Sequence, residues 1–243
     1  FSTPTPPPPI LSGLVGSEMC IRDRGTTGDF NPFSTRDPAT NKYQGYDIDI
    51  MTELAKDMGV EIEFVATDWK TIVNGIVAGK YHITGSASIK ASRMKAAGFS
   101  ESYLAVVFKP FTTSEKVGKF NGWDSINKDG VRVATTLGTA MEPMVKEWFP
   151  NADIKSVEAP ARGYQEVLAG RADVFVTSNL EGSTLKAKYS NVKEIEVNAP
   201  RNPTPLAMLL PQADQVWINY VNHWIKIKTA KGFFKSTAEK WGL

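Results

Sequence analysis

An alternation of strand-like and helix-like segments, which occurs in two successive copies, constrains the fold of this chain more than any other feature. In the first copy, residues 47–58 repeat apolar side chains at helical spacing, and residues 62–65 alternate like a strand. The pattern starts again with a strand at residues 131–134 and continues to residue 176. Such an alternation is typical of α/β proteins. We therefore expect two similar α/β lobes.

Two extended segments, Val106–Thr112 and Val197–Met208, are the candidate connections between the lobes. The chain after Pro211 is amphipathic and rich in aromatic residues, which favours helices that pack back on the first lobe. A partner-binding surface is the alternative interpretation. The predicted units are lobe 1 at residues 25–110, lobe 2 at residues 111–200, and a return to lobe 1 with C-terminal helices at residues 201–243.

Residues 1–24 differ from the rest of the chain. They contain a proline run and a short apolar stretch that no Lys or Arg precedes, so they do not have the pattern of a signal peptide. Residues 17–24 resemble a translated sequencing adapter. The segment is therefore either foreign sequence, which would have replaced a native signal peptide, or a disordered extension, and we expect residues 1–20 to be dispensable for binding. Residues 20–24 are also more charged than a buried parallel strand should be.

Composition excludes several classes of function. The net charge is only +2 and both signs are interspersed, so we expect no nucleic-acid partner. The apolar runs are shorter than the roughly 20 residues that span a bilayer. Cys20 is the single cysteine, and His82 and His223 lie far apart in sequence. We therefore predict no internal disulfide, no metal site and no cofactor.

Four ordered motifs resemble one known family. They are residues 25–34 with Gly45-Tyr46-Asp47-Ile48-Asp49, residues 85–89 followed by Arg93, residues 99–103, and residues 170–174. Together they are similar to the family-3 extracellular solute-binding proteins, the amino-acid-type receptors of ABC importers. Residues 26–49 look closest to a secreted enzyme branch of that family, the cyclohexadienyl (arogenate/prephenate) dehydratases.

The resemblance implies a fold, a location and partners. It implies an α/β, two-lobed periplasmic-binding-protein-like (type II) fold with a hinge between the lobes. It also implies a periplasmic monomer that binds a small-molecule ligand and meets the membrane permease of an ABC importer. A sensory domain of the same fold is a third alternative, which would need a transmembrane extension.

The resemblance also implies the ligand contacts. Arg93 corresponds to the family's carboxylate anchor, which forms two parallel hydrogen bonds; without the motifs it would be interpreted as a surface charge. Ser86 and Ser88 lie on a small-residue turn whose hydroxyl and N–H groups can complete an anion site. Thr139 and Ala140 open a helix and would present its N–H groups, although a Thr there is often only a cap.

Four further positions bear on the predicted ligand site. Phe30 and Trp69 correspond to the aromatic pair that sandwiches the ligand; core packing is the alternative. Ser178 and Thr27 stand where amino-acid receptors carry acidic residues that hold the ligand ammonium. We therefore expect a betaine-like zwitterion or an organic acid rather than an ordinary α-amino acid.

The dehydratase alternative lacks an identifiable acid. A dehydratase needs a group that protonates the leaving hydroxyl. The candidate acids are Glu142, Glu158 and Glu181, and the sequence does not choose among them. We therefore predict a binding protein without catalytic residues and keep the dehydratase as the alternative.

Overall fold

One mixed sheet of ten strands runs through the protein. The structure, a computed structural model, describes residues 22–243. The predictions for residues 1–21, a foreign or disordered extension that binding does not need, lie outside the described residues. The strands are β1 (Arg22–Thr26), β2 (Asp29–Phe30), β3 (Ser34–Arg36), β4 (Tyr43–Gln44), β5 (Ile62–Ala66), β6 (Ile83–Ser88), β7 (Gly98–Phe99), β8 (Leu104–Thr113), β9 (Arg132–Thr136), β10 (Asp153–Val157), β11 (Val174–Ser178), β12 (Val192–Glu194) and β13 (Arg201–Leu210).

Nine α-helices and one short 3-10 helix (Val117–Lys119) accompany the strands in the described part of the chain. The α-helices are α1 (Tyr46–Met58), α2 (Ile72–Val77), α3 (Ala91–Met94), α4 (Trp123–Ile126), α5 (Met141–Trp148), α6 (Gly163–Leu168), α7 (Asn179–Lys188), α8 (Gln215–Ala230) and α9 (Phe233–Lys240). In each half of the sequence, strands and helices alternate, because a parallel strand pair needs a crossover connection that a helix usually supplies.

Two long strands join the two halves of the sheet. The strand order is β10-β9-β11-β8-β13-β6-β1-β5, with β12 also on β8 and β7 also on β13, while β2, β3 and β4 form a small separate sheet. β1 is parallel to β5 and β6, and β9 is parallel to β10 and β11. Between these parallel groups, β8 and β13 run antiparallel to each other. The molecule is thus an α/β protein of two lobes, and the predicted lobe boundaries fall inside β8 and directly before β13.

The C-terminal helices contact the first lobe. On α8, the indole of Trp224 donates to Asp57 of α1 at 2.6 Å, and Lys228 lies 2.6 Å from Glu53. Trp217 is fully buried and donates to the carbonyl of His82. The apolar face of α8 is therefore buried in the core, as expected for C-terminal helices that pack back on the first lobe.

The first described strand starts earlier than the predicted boundary at residue 25. Arg22, Asp23 and Arg24 pair in parallel with residues 62–64 of β5, and Arg24 is buried against the ring of Trp217. Residues 22–24 therefore belong to the first described strand. The hydrogen bonds of a parallel sheet join backbone N–H and carbonyl groups of neighbouring strands. Charged side chains therefore do not by themselves prevent pairing.

Candidate functional site

A cavity lies between the two lobes, at the carboxyl ends of strands from both. Ligands of open α/β sheets commonly bind at such strand ends. All eight predicted ligand residues line it, together with five that the sequence did not indicate. The lining residues are Phe30, Trp69, Ser86, Ser88, Arg93, Val106, Phe108, Thr139, Ala140, Met141, Arg162, Ser178 and Leu206. The structure therefore brings the predicted set together at one place.

Arg93, on the short helix α3, is a buried cation without a carboxylate partner among the described residues. Its side chain is 5% exposed; Nη1 donates to the carbonyl of Ser88 at 3.3 Å, and Nη2 has no hydrogen-bond partner within residues 22–243. Burial lowers the pKa of the Arg93 guanidinium to about 10, so it stays charged at neutral pH. An uncompensated buried charge favours an anionic ligand.

Ser86 lines the cavity, but its two hydrogen-bond donors, the backbone N–H and the hydroxyl, both bind other residues of the protein. Its N–H donates to the hydroxyl of Tyr103 at 2.6 Å, and its Oγ donates to Asp47 at 2.6 Å. Its backbone has a positive φ of 40°, which turns the residue toward these partners. Ser86 therefore offers lone pairs to a ligand, which differs from the expected role as an anion donor.

Lobe 2 contributes hydroxyl groups and the start of a helix to the cavity wall. In lobe 2, the hydroxyl of Thr139 donates to the carbonyl of Thr136 at 2.6 Å, so it stabilises the turn before α5. Ala140 and Met141 stand at the start of α5, where the first N–H groups lack helical partners. Ser178 caps α7 by accepting from the N–H of Glu181 at 3.1 Å.

Phe30 and Trp69 form a corner rather than a sandwich. Their ring centroids are 5.6 Å apart and the planes meet at 83°, an edge-to-face contact that leaves no gap for a ligand between them. Phe33 stacks on Phe30 at 4.4 Å, and the indole N–H of Trp69 donates to Asp29 at 3.1 Å. A ligand can therefore contact the two rings from one side only.

Arg162, directly before α6, is a second cation in the cavity wall. It is 4% exposed; its Nη2 donates to both oxygens of Glu181 at 2.9 and 2.7 Å, while its Nη1 lies 3.6 Å from Asp29. The guanidinium carbon lies 5.4 Å from the ring centroid of Phe30. Burial disfavours the charged form, but Glu181 and Asp29 outweigh it and raise the pKa of Arg162.

Of the three acids considered from sequence, only Glu181 adjoins the cavity. It is fully buried, bonded to Arg162 and to the hydroxyl of Thr177. Burial raises the pKa of the Glu181 carboxyl, and the charge of Arg162 opposes this shift. Glu142 binds Lys146 and the N–H of Gly138 away from the cavity, and Glu158 is exposed beside Lys70.

The five lining residues that were not predicted differ in what the sequence could show. Val106, Phe108 and Leu206 lie on β8 and β13, within the segments predicted to connect the lobes, so their position was a usable signal. Met141 directly follows Ala140, a predicted ligand contact, so its neighbour was also a usable signal. Arg162 had no signal, because an Arg before a helix usually lies in solvent.

The two lobes contact each other around the cavity. Nδ2 of Asn31 donates to the hydroxyl of Thr184 at 3.0 Å, across the lobes. A Cβ added to Gly138 would lie 2.6 Å from the backbone nitrogen of Lys70. The structure therefore shows the lobes closed on the cavity.

Proteins of similar sequence and fold include both solute-binding proteins and cyclohexadienyl dehydratases. The chain is 26% identical over 217 residues to the cyclohexadienyl dehydratase of Pseudomonas aeruginosa, covering 89% of this chain and 80% of the enzyme. It is 24% identical to the L-cystine-binding protein TcyA of Bacillus subtilis, covering 89% of this chain and 79% of TcyA. The crystal structure of the ancestral amino acid-binding protein AncCDT-1, a precursor of cyclohexadienyl dehydratase, is 33% identical with a TM-score of 0.84, covering 91% of this chain and 95% of that one.

The match to the family model spans nearly all of the described chain. The model of the bacterial extracellular solute-binding proteins, family 3, matches residues 24–243. This range includes both lobes, the connecting strands and every lining residue of the cavity. The fold has the two lobes that solved structures of similar proteins show. The chain belongs to the family-3 bacterial extracellular solute-binding proteins.

Proposed function

We propose that this protein captures a small organic acid in the cavity between its lobes and presents it to the membrane permease of an ABC importer. The observation that carries the proposal is Arg93, which is buried and charged and has no carboxylate partner within residues 22–243. A ligand carboxylate would supply the missing charge and accept from Nη2 in a charge-assisted hydrogen bond.

The cavity wall is unsuited to a primary ammonium. Among its described lining residues, two are cationic and none is acidic. The nearby carboxylates, Glu181 and Asp29, are already engaged by Arg162. An ammonium buried there would leave donors unsatisfied, at a cost of about 1–3 kcal/mol or more. This disfavours an ordinary α-amino acid as the solute.

Between a betaine-like zwitterion and an organic acid, the aromatic corner favours the acid. A quaternary ammonium would be attracted to the face of an aromatic ring. Phe33 stacks on Phe30, and the Arg162 guanidinium lies 5.4 Å from the centroid of the same ring. A second cation at this ring would be repelled by Arg162, whereas an organic acid brings no cation.

Family membership supports delivery to an importer in the periplasm. TcyA, named as an L-cystine-binding protein, is similar in sequence over most of both chains. No helix in residues 22–243 combines the length and hydropathy that crossing a bilayer requires. Closed lobes around a small cavity suit a carrier that holds its solute until it docks.

A thermal-shift comparison of one carbon skeleton in three forms tests the ligand class. A ligand that binds only the native state raises the melting temperature. We expect 4-methylpentanoate and related carboxylates to raise it more than leucine or N-trimethylated leucine do. A rise with α-amino acids alone would contradict the proposal.

The second candidate, a cyclohexadienyl dehydratase, is favoured by one observation. Glu181 is a buried carboxyl beside the cavity whose pKa is raised by burial, a property of general acids. The test is incubation with prephenate while phenylpyruvate absorbance is followed, with Glu181→Gln as the control. Turnover that this substitution abolishes would establish the enzyme.

A further inference from the structure

Arg162 lines the cavity and carries a buried donor that no described residue accepts. Its Nη2 is saturated by the two oxygens of Glu181. Its Nη1 is buried without a hydrogen-bond partner in residues 22–243, and the Asp29 Oδ2 at 3.6 Å is too distant to accept one. Buried polar groups in native proteins are nearly always satisfied. An unsatisfied donor in the wall of a ligand cavity indicates that the ligand supplies the acceptor.

The guanidinium is held in one position. Glu181, which binds it, receives a hydrogen bond from the hydroxyl of Thr177, and its N–H is held by the Oγ of Ser178. The ring of Phe30 lies beside the guanidinium carbon. Glu181, Thr177 and Ser178 belong to the same lobe as Arg162, so they hold its guanidinium whether or not the lobes have closed, and the protein sets the direction of the two Nη1 hydrogens.

The charges around Arg162 decide what kind of acceptor fits. Two carboxylates, from Glu181 and Asp29, already surround this one cation. A third carboxylate, from the ligand, would be repelled by both. Arg93 differs, because none of the residues in the described part of the chain pairs a carboxylate with it. The two cations in the cavity wall therefore differ: Arg93 suits an anion, and Arg162 suits an uncharged oxygen.

We infer that Arg162 is a specificity-determining ligand contact from lobe 2, and that the solute is a monocarboxylate with an uncharged carbonyl or hydroxyl oxygen at its far end. The carboxylate binds Arg93, the oxygen accepts from Nη1 of Arg162, and the apolar middle contacts Val106, Phe108 and Leu206. The inference rests on the proposed function, because it requires Arg93 to hold the carboxylate.

Calorimetry on the wild-type protein with matched ligands tests this without any substitution. The six-carbon set is hexanoate, 5-oxohexanoate and adipate, whose far ends are apolar, a carbonyl and a carboxylate. Equivalent sets of four to eight carbons vary the distance between the two ends. We expect the oxo acid to bind roughly tenfold tighter than both relatives at the length that fits, because it satisfies a buried donor. The inference is overturned if the apolar acid or the diacid binds at least as tightly at every length.

Paired substitutions identify the residue and separate this inference from the proposed function. Arg162→Met removes the N–H donors but alone would leave Glu181 buried without its cation, so the test variant combines Arg162→Met with Glu181→Gln. It should bind the oxo acid and the apolar acid equally, and a retained tenfold preference would overturn the role of Arg162. Arg93→Ala should lose all three ligands: if it binds them normally, the proposed function fails, whereas dependence on Arg93 with no preference for the oxo acid removes only the inference.

Discussion

Asp47 is a buried carboxyl directly behind the ligand cavity. It lies in the first turn of α1 and accepts hydrogen bonds from Ser86 and from the hydroxyl of Tyr103. Neither partner is a cation. Burial raises the pKa of Asp47 from 3.8 to about 7, although both hydrogen bonds act in the opposite direction. The folded state therefore binds this proton more tightly than the unfolded state does.

The raised pKa predicts how Asp47→Asn changes the pH dependence of stability. In the wild type, the contribution of the neutral Asp47 is complete below about pH 4 and is lost as the pH rises through 7. Between pH 4 and 8, the free energy of unfolding of the wild type should therefore fall relative to that of Asp47→Asn, by about 4 kcal/mol at most. Urea unfolding of both proteins across this range measures the difference. Parallel curves would contradict the shifted pKa.

The individual site residues show which roles could be predicted from the sequence. The resemblance to the family identified Arg93 and seven other lining residues, because the matching motifs carry the family's ligand positions over to this sequence. The motifs did not determine that Ser86 donates both hydrogens to Tyr103 and Asp47. They also gave no sign of Arg162, whose burial depends on Glu181 and Asp29 from other parts of the chain.

At the scale of elements, α7 approaches β8 through a glycine. A Cβ added to Gly182 would lie 2.0 Å from the ring of Phe111, which is itself stacked on Phe175 at 5.4 Å. The helix can pack this closely only because residue 182 has no side chain. This contact positions Glu181 and therefore the Arg162 end of the cavity.

Gly182→Ala should destabilise the protein despite the higher helix propensity of alanine. Propensity alone would stabilise α7 by about 1 kcal/mol, whereas the clash with Phe111 should cost roughly 1–3 kcal/mol. The sign of the change in unfolding free energy therefore separates the two effects. Gly118→Ala is the control, because nothing lies within 4 Å of its added Cβ. Equal stability of the two variants would show that the packing is looser than the structure indicates.

The start of α1 shows the limit of local sequence rules for elements. Asp47 has the residue type of an N-cap, but the cap is Gly45 and Asp47 lies inside the helix. The reason is tertiary: its carboxylate is engaged by Ser86 on β6 rather than by its own helix. The end of the same helix follows the local rule, since Gly59 terminates it in the left-handed conformation.

At the scale of the whole molecule, closure of the lobes depends on Gly138. An added Cβ at this position would lie 2.6 Å from the nitrogen and 2.7 Å from the Cα of Lys70, in the other lobe. Backbone atoms cannot move aside as a flexible side chain can. A larger residue at position 138 should therefore hold the lobes apart.

Gly138→Ala should weaken ligand binding by preventing closure. With the wild type, scattering should show a smaller radius of gyration when ligand is added; with Gly138→Ala, the radius should stay unchanged and the affinity should fall. Gly130→Ala is the matched control, because its φ of 76° equals that of Gly138 within a degree but its added Cβ meets nothing within 4 Å. Both variants carry the same backbone strain, so equal affinities would contradict the closure mechanism.

The measurement that tests the central claim most directly is calorimetry of the tightest-binding carboxylate with the wild type and with Arg93→Ala. Truncating one partner of a buried charge pair costs about 2–5 kcal/mol, so affinity should fall by roughly 30-fold to several thousand-fold. The ligand-free variant should melt no lower than the wild type, because Arg93 has no carboxylate partner to lose in residues 22–243. Unchanged affinity would contradict the proposal that this cavity binds an organic acid through Arg93.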